Sequence, residues 1–185
     1  MSDLNSALLL WINGHNTPLL DAIMFGASNR FIWIPFYGLL LALFANVYKK
    51  NIWIILISVT LLILFCDQTA NLGKEFFGEL RPCHEPSLQA LIHLVNGYCG
   101  GDFGYVSSHA ANSTGLLIFS AMLLNKRFVW IKYALLIYVL LICYSRIYLG
   151  AHYPMDVLRG IFVGIIFGFF VAKASMVAIV KAQVK

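Results

Sequence analysis

Long apolar runs separated by short polar clusters dominate the chain, and most are of the length that crosses a bilayer, about 20 residues. The first clear run is Phe31 to Tyr48, with Trp33 and Tyr37 near one end and Lys49-Lys50 closing the other. The second, Ile52 to about Leu72, carries Asp67, Gln68 and Asn71 on its last turns before Lys74. After a polar, Gly-rich connection from Arg81 to Tyr105 come three more: His109 to Leu124, Phe128 to Tyr148 and Met155 to Ile179. The pattern predicts an all-α fold, a polytopic transmembrane helix bundle of five spans. Gly160, Gly164 and Gly168, four residues apart, give the last span a smooth stripe for close helix packing.

Residues 1–30 follow a different pattern. A short apolar patch from Leu4 to Ile12 is broken by Asn13-Gly14-His15-Asn16-Thr17-Pro18, and a second runs from Leu19 to Ala27. Neither is long enough to span. No Lys or Arg precedes the first patch and no small-residue cleavage site follows it, which argues against a secretory signal peptide. The expectation is an interfacial helix followed by a tilted or re-entrant one, with His15 as an interfacial polar residue. No internal repeat is evident, and residues 1–185 read as one membrane-embedded domain, with the helix bundle over 31–185.

Composition agrees. Of the 185 residues, 61% are hydrophobic and 11% charged, against about 25% charged in soluble domains. A net charge of +5 could suggest nucleic acid, but the basic residues sit in ones and twos at the ends of apolar runs, with no basic stripe, so no nucleic-acid partner is expected. Alternating spans put Lys49, Lys50, Lys126, Arg127, Lys132, Lys181 and Lys185 on one face, which the positive-inside rule makes cytoplasmic. The opposite face then carries Lys74, Arg81, Arg146 and His152, cations that the topology rule does not place there. Cys66 and Cys143 lie in apolar runs; Cys83 and Cys99 lie in the polar connection, without zinc-ligand spacing, and can form a disulfide if it faces an oxidising compartment.

Candidate chemistry concentrates in three places. Between Ser145 and Asp156 a cation, Arg146, an imidazole, His152, and a carboxylate, Asp156, stand between two apolar spans. Each would cost about 2.5 to 3.5 kcal/mol at the bilayer centre, so the cluster calls for water or a charged ligand. His152 and Asp156 are four apart, which lets the carboxylate accept a proton from one ring nitrogen and leave the other as a nucleophile. Lys74 and Arg81, if helical, share a face about 10 Å apart and can grip one phosphate from two sides, with Pro82 discouraging continuation. The third is Ser107-Ser108-His109, where small hydroxyl residues opening a helix leave free N–H groups for an anion, with His109 beside them.

These segments resemble the three signature motifs of the type 2 phosphatidic acid phosphatase superfamily. Lys, six residues, Arg-Pro is met by Lys74, Arg81 and Pro82; Ser-Arg, five residues, His, three residues, Asp by Ser145, Arg146, His152 and Asp156. The second motif, usually Pro-Ser-Gly-His, is met at Ser107 and His109 and departs at Val106 and Ser108, where glycine's backbone freedom is lost. The resemblance implies an integral-membrane lipid phosphatase in which His152 attacks phosphorus and becomes a phosphohistidine, Asp156 orients it and His109 protonates the leaving oxygen. Lys74, Arg81 and Arg146, with Ser107, Ser108 and nearby N–H groups, would hold the nonbridging oxygens. It implies no metal or other cofactor, and inhibition by vanadate. The partners it implies are membrane lipids and a phosphorylated lipid substrate of the undecaprenyl pyrophosphate, phosphatidylglycerol phosphate, phosphatidic acid or lipid A class. It also implies a bacterial plasma membrane, the site facing the periplasm or exterior, and selection by the cleft between spans and by the Pro82 to Phe103 loop. A phosphotransferase acting on a hydroxyl acceptor and a non-catalytic phospholipid transporter are the alternatives.

Overall fold

The structure, a computed structural model, describes residues 3–184 and the side chains of residues 4–183. It is all-helical: α1 (Asp3–Gly14), α2 (Pro18–Ser28), α3 (Ile34–Tyr48), α4 (Ile52–Phe77), α5 (Ser108–Leu123), α6 (Val129–Tyr148) and α7 (Pro154–Val184), with short 3₁₀ turns between some of them. Lys185, counted among the cytoplasmic cations above, lies outside the described residues.

Among the described residues, three continuous helical stretches are long and apolar enough to cross a membrane: Arg30–Phe77, Lys126–Tyr148 and Pro154–Gln183. The first is 48 residues and contains both α3 and α4, joined through the turn Lys49–Asn51, where Lys49 takes φ 46°. The sequence pattern divides that stretch in two and adds α5, which at 16 residues rises only about 24 Å. Its first turn is polar, which is why its apolar length falls short.

α5 is the centre of the bundle and packs against α4, α6 and α7. The glycine stripe explains the α5–α7 contact. A Cβ placed on Gly160, Gly164 or Gly168 would meet the carbonyl oxygens of Ser107, Ala111 and Gly115 at 2.5, 2.4 and 2.8 Å. The two backbones therefore touch with no side chain between them, which sets the start of α5 against the start of α7. Leu40, Phe44, Ile55, Leu62, Phe119, Leu135 and Val139 fill the interior around this pair.

Residues 3–28 are bolted to the end of α6. Asn13 Nδ2 donates to the Tyr148 and His93 carbonyls at 2.7 and 2.9 Å, and its Oδ1 accepts from His93 N at 2.8 Å. Asp21 accepts from the Tyr148 hydroxyl at 2.6 Å and pairs with His93 Nε2 at 2.9 Å. Thr17 caps α2 through a bond from Leu20 N, and Pro18 opens it, as suits a residue with no N–H to satisfy.

The connection from α4 to α5 is held by the Cys83–Cys99 disulfide. Closing a loop of that length restricts the unfolded chain by roughly 3 kcal/mol. An isolated antiparallel bridge pairs Leu80 with Phe103, closing the same loop from its other side.

Candidate active site

The Arg146 to Asp156 segment folds as its residues dictate. α6 ends at Tyr148, Gly150 takes φ 66° where a side chain would be strained, and the N–H groups of Ala151 and His152 both turn back to the Arg146 carbonyl at 3.2 Å. α7 then opens at Pro154. This puts Asp156 in the first turn of α7, where its Oδ2 lies 3.1 Å from His152 Nδ1 and accepts from Tyr153 N at 3.2 Å. His152 and Asp156 are 2% and 1% exposed. With Nδ1 held by the carboxylate, Nε2 is the imidazole nitrogen left for chemistry.

The cations converge on this dyad. Arg81 is buried, with Nη1 donating to the Ala151 carbonyl at 3.2 Å and Nε to the Phe103 carbonyl at 3.1 Å. Arg146, also buried, donates to the hydroxyls of Ser28 and, at 3.4 Å, Tyr98, and lies 5.6 Å from the Tyr98 ring centre. Its Nε has no partner among the described residues. Lys74 Nζ donates to Ser108 Oγ at 2.9 Å, joining α4 to the first residue of α5. Burial first, then Arg81, Arg146, Lys74 and His109, push the His152 imidazole well below its ordinary range, which favours the neutral ring.

α5 starts beside the dyad because Ser107 N donates to the Asp156 carbonyl at 3.0 Å. Ser107 Oγ caps the helix by accepting from Ala110 N at 3.4 Å. The first turn of α5 carries His109, which lines a cavity of about 370 Å³ with Phe25, Ser28, Arg30 and Tyr98. The glycine-rich connection covers the opposite side. A Cβ on Gly100 would stand 2.9 Å from Arg81 Nη1, and one on Gly104 2.8 Å from Asp156 Oδ2, so the loop backbone lies directly on the charged groups.

The structure thus brings together all the residues singled out: Lys74, Arg81, Ser107, Ser108, His109, Arg146, His152 and Asp156. One expectation needs correction. Lys74 and Arg81 do not share a helix face, because α4 stops at Phe77 and Gly78, at φ 57°, turns the chain out. Arg81 arrives instead on an extended segment, its own N–H bonded to the Asp102 carbonyl at 2.9 Å.

Four residues that serve the site were missed. Arg159, one turn beyond Asp156, reaches Asp156 Oδ1 and Glu79 Oε2, each at 3.4 Å, and its guanidinium lies 4.1 Å from the Tyr105 ring centre. Its spacing on the α7 face was the available signal. Tyr105 stacks on Phe77 at 3.7 Å between ring centres. Ser28 and Tyr98, which hold Arg146, come from segments that no spacing rule connects to it. Among the described residues, three potential metal-ligating groups come together at Cys83, His84 and Cys99, where the disulfide engages both sulfurs.

Residues 51–178, which contain the whole constellation except Ser28, match the profile of the PAP2 superfamily. The chain belongs to that superfamily. Among curated relatives, lipid A 4'-phosphatase of Bacteroides thetaiotaomicron is 37% identical over 89% of this chain and 73% of its own length. Lipid A 4'-phosphatase of Porphyromonas gingivalis is 36% identical over 92% and 72%. An undecaprenyl-diphosphatase of Sulfolobus acidocaldarius is 29% identical over 86% and 73%. The fold is that of Aquifex aeolicus LpxE, with a TM-score of 0.71 at 26% identity over 93% of this chain and 96% of that one. The transmembrane PAP2-type phosphatidylglycerolphosphate phosphatase of Bacillus subtilis shares the fold with a TM-score of 0.70 at 20% identity over 94% and 85%. This PAP2 chain is a membrane lipid phosphatase.

Proposed function

We propose that this phosphatase hydrolyses the phosphomonoester of an acylated glycolipid of the lipid A class, through a phosphohistidine formed at the outer face of a bacterial plasma membrane. The observation that carries the mechanism is the His152–Asp156 pair, 3.1 Å apart and surrounded by Arg81, Arg146 and Lys74. A site that only binds phosphate has no use for an imidazole oriented by a carboxylate. The lipid A class rests on the two relatives of that activity. The Sulfolobus relative favours a prenyl diphosphate as the second candidate.

In the first step the Nε2 lone pair of His152 attacks phosphorus in line, the bond to the lipid oxygen breaks, and His109 gives that oxygen its proton. Asp156 stabilises the positive charge that builds on the ring. In the second step water attacks the phosphohistidine, His109 takes its proton, the P–N bond breaks and phosphate leaves. Lys74, Arg81, Arg146, Ser107 and the first N–H groups of α5 hold the nonbridging oxygens, fixed in place before the charge shifts. None of these steps requires a metal.

For topology we infer five alternating crossings, by α3, α4, α5, α6 and α7, in one membrane-embedded domain, with α1 and α2 at the outer interface. The location of Lys49, Lys50, Lys126, Arg127, Lys132 and Lys181 at the end of the bundle away from the site supports this, as does the Cys83–Cys99 disulfide beside Arg81. The test is a phosphate-release screen in proteoliposomes across lipid monophosphates and prenyl diphosphates, with His152→Ala as control. Release favouring the acylated sugar phosphate and lost in the variant is expected; faster release from the prenyl diphosphate overturns the substrate.

A further inference from the structure

Beside the site, a second cavity of about 470 Å³ opens between α3, α4, α5 and α6. Most of its wall is apolar, including Leu40, Phe44, Val59, Leu62 and Leu116. Its polar members are few, and three of them, Arg30, Asp67 and Asn112, are tied to the site by position. Asn112 stands one turn after His109 on α5, and Asp67 two turns before Lys74 on α4. Arg30 lines both this cavity and the one that holds His109, so the two adjoin there.

Asp67 and Asn112 have a fixed relation. The Asn112 amide donates to Asp67 Oδ1 at 2.8 Å. A carboxylate presents acceptors, so this bond orients the amide with NH₂ toward Asp67 and the carbonyl oxygen away. That oxygen, Asn112 Oδ1, is buried and has no partner among the described residues. A buried acceptor left without a donor is costly, which points to a donor supplied by a bound molecule.

We propose that Asn112 is a specificity residue that accepts a hydrogen bond from an N–H or O–H group on the leaving portion of the lipid, close to the phosphate, while an acyl chain of the same lipid runs into the apolar cavity. The inference rests on the phosphatase reading and sharpens its substrate class. An N-acylated or hydroxylated lipid phosphate supplies the donor; a prenyl chain or a fully esterified glycerol does not. Asp67 is a positioning residue for the Asn112 amide. The occupant is the substrate's own chain because the polar end of the cavity adjoins His109, the group that faces the leaving oxygen.

The test uses two phosphomonoesters with comparable chains: ceramide 1-phosphate, which carries an amide N–H and a hydroxyl, and dioleoyl phosphatidic acid, which carries neither. Rates are measured in mixed micelles for the intact protein, Asn112→Leu and Asp67→Asn. The expected result is a higher kcat/KM on ceramide 1-phosphate for the intact protein. Asn112→Leu should lower that value about 10-fold, mainly through KM, and leave phosphatidic acid within about twofold. Asp67→Asn should lower it less, since an amide oxygen can replace the carboxylate as acceptor. An equal loss on both substrates in Asn112→Leu marks a structural residue and overturns the inference, as does no loss on either; continued release from phosphatidic acid in both cases leaves the phosphatase reading standing. Absence of release from every lipid phosphate by the intact protein overturns the phosphatase reading and the inference with it.

Discussion

Arg159 Nη1 lies 3.4 Å from Asp156 Oδ1, on the side of the carboxylate away from His152. The same nitrogen reaches Glu79, and the guanidinium lies over Tyr105, so Asp156 is held between an imidazole and an anchored cation. The arrangement fixes the carboxylate that orients the nucleophile. Arg159→Ala should lower kcat about 10-fold with little change in KM, because Arg159 acts through Asp156. Arg159→Lys should recover part of the loss. Steady-state kinetics on the three proteins check this; a change confined to KM contradicts it.

The contact between α5 and α7 should be intolerant of size. At Gly164 a Cβ would lie 2.4 Å from the Ala111 carbonyl and 2.8 Å from Thr114 Cβ. Gly164→Val has no free space to use, and overpacking of this kind costs about 1 to 3 kcal/mol. The expected outcome is a lower Tm in detergent together with lost activity, because the displaced helices carry Ser107 and Asp156. Differential scanning fluorimetry with a turnover assay checks both.

How far the sequence reaches follows from which contacts are local. His152 and Asp156 are four apart and meet as the spacing predicts; the glycine stripe of α7 packs as read. The helical start at Ser107 followed from its hydroxyl capping chemistry. The spacing of Lys74 and Arg81 predicts a shared helix face, but Gly78 ends α4 in a left-handed turn, one residue deciding between a continued helix and an extended segment. Ser28 and Tyr98 meet Arg146 across separations of 118 and 48 residues, set by how α2 and the loop fold over the bundle. No periodicity carries that information. The crossing count, too, depends on α5, whose polar first turn sits in the site instead of in an apolar span.

The Cys83–Cys99 disulfide should matter more for substrate binding than for chemistry. It anchors the loop whose backbone at Phe103 and Gly100 lies on Arg81. Cys83→Ser should lower the unfolding free energy by up to about 3 kcal/mol and raise KM severalfold, with kcat less affected. Incubation of the intact protein with a reductant should reproduce the effect. Unchanged KM under full reduction contradicts this role.

The pH profile has a definite sign. The His152 imidazole lies well below its ordinary range, through burial and then through Arg81, Arg146, Lys74 and His109. The ring is therefore neutral, and able to attack, at pH values where a free histidine, with a pKa of about 6.5, is mostly protonated. The loss of kcat/KM on acidification should thus occur below pH ~6.5. For stability, the unfolded chain binds more protons than the folded one between those two values. This contribution is therefore complete above about pH 6.5 and is lost as pH falls toward the folded value. Removing two of the neighbouring cations in Lys74→Met with Arg81→Met should move the acid limb upward, measured on residual activity; no movement contradicts the assignment.

The most direct test of the central claim is to trap the covalent intermediate. A lipid monophosphate labelled with ³²P is mixed with excess enzyme, quenched within a single turnover in alkaline detergent, digested and mapped. The account predicts acid-labile, base-stable label on the peptide carrying His152, lost in His152→Ala and chased to free phosphate when turnover is allowed to proceed. Turnover that continues with no label on His152, or with label on another residue, contradicts it.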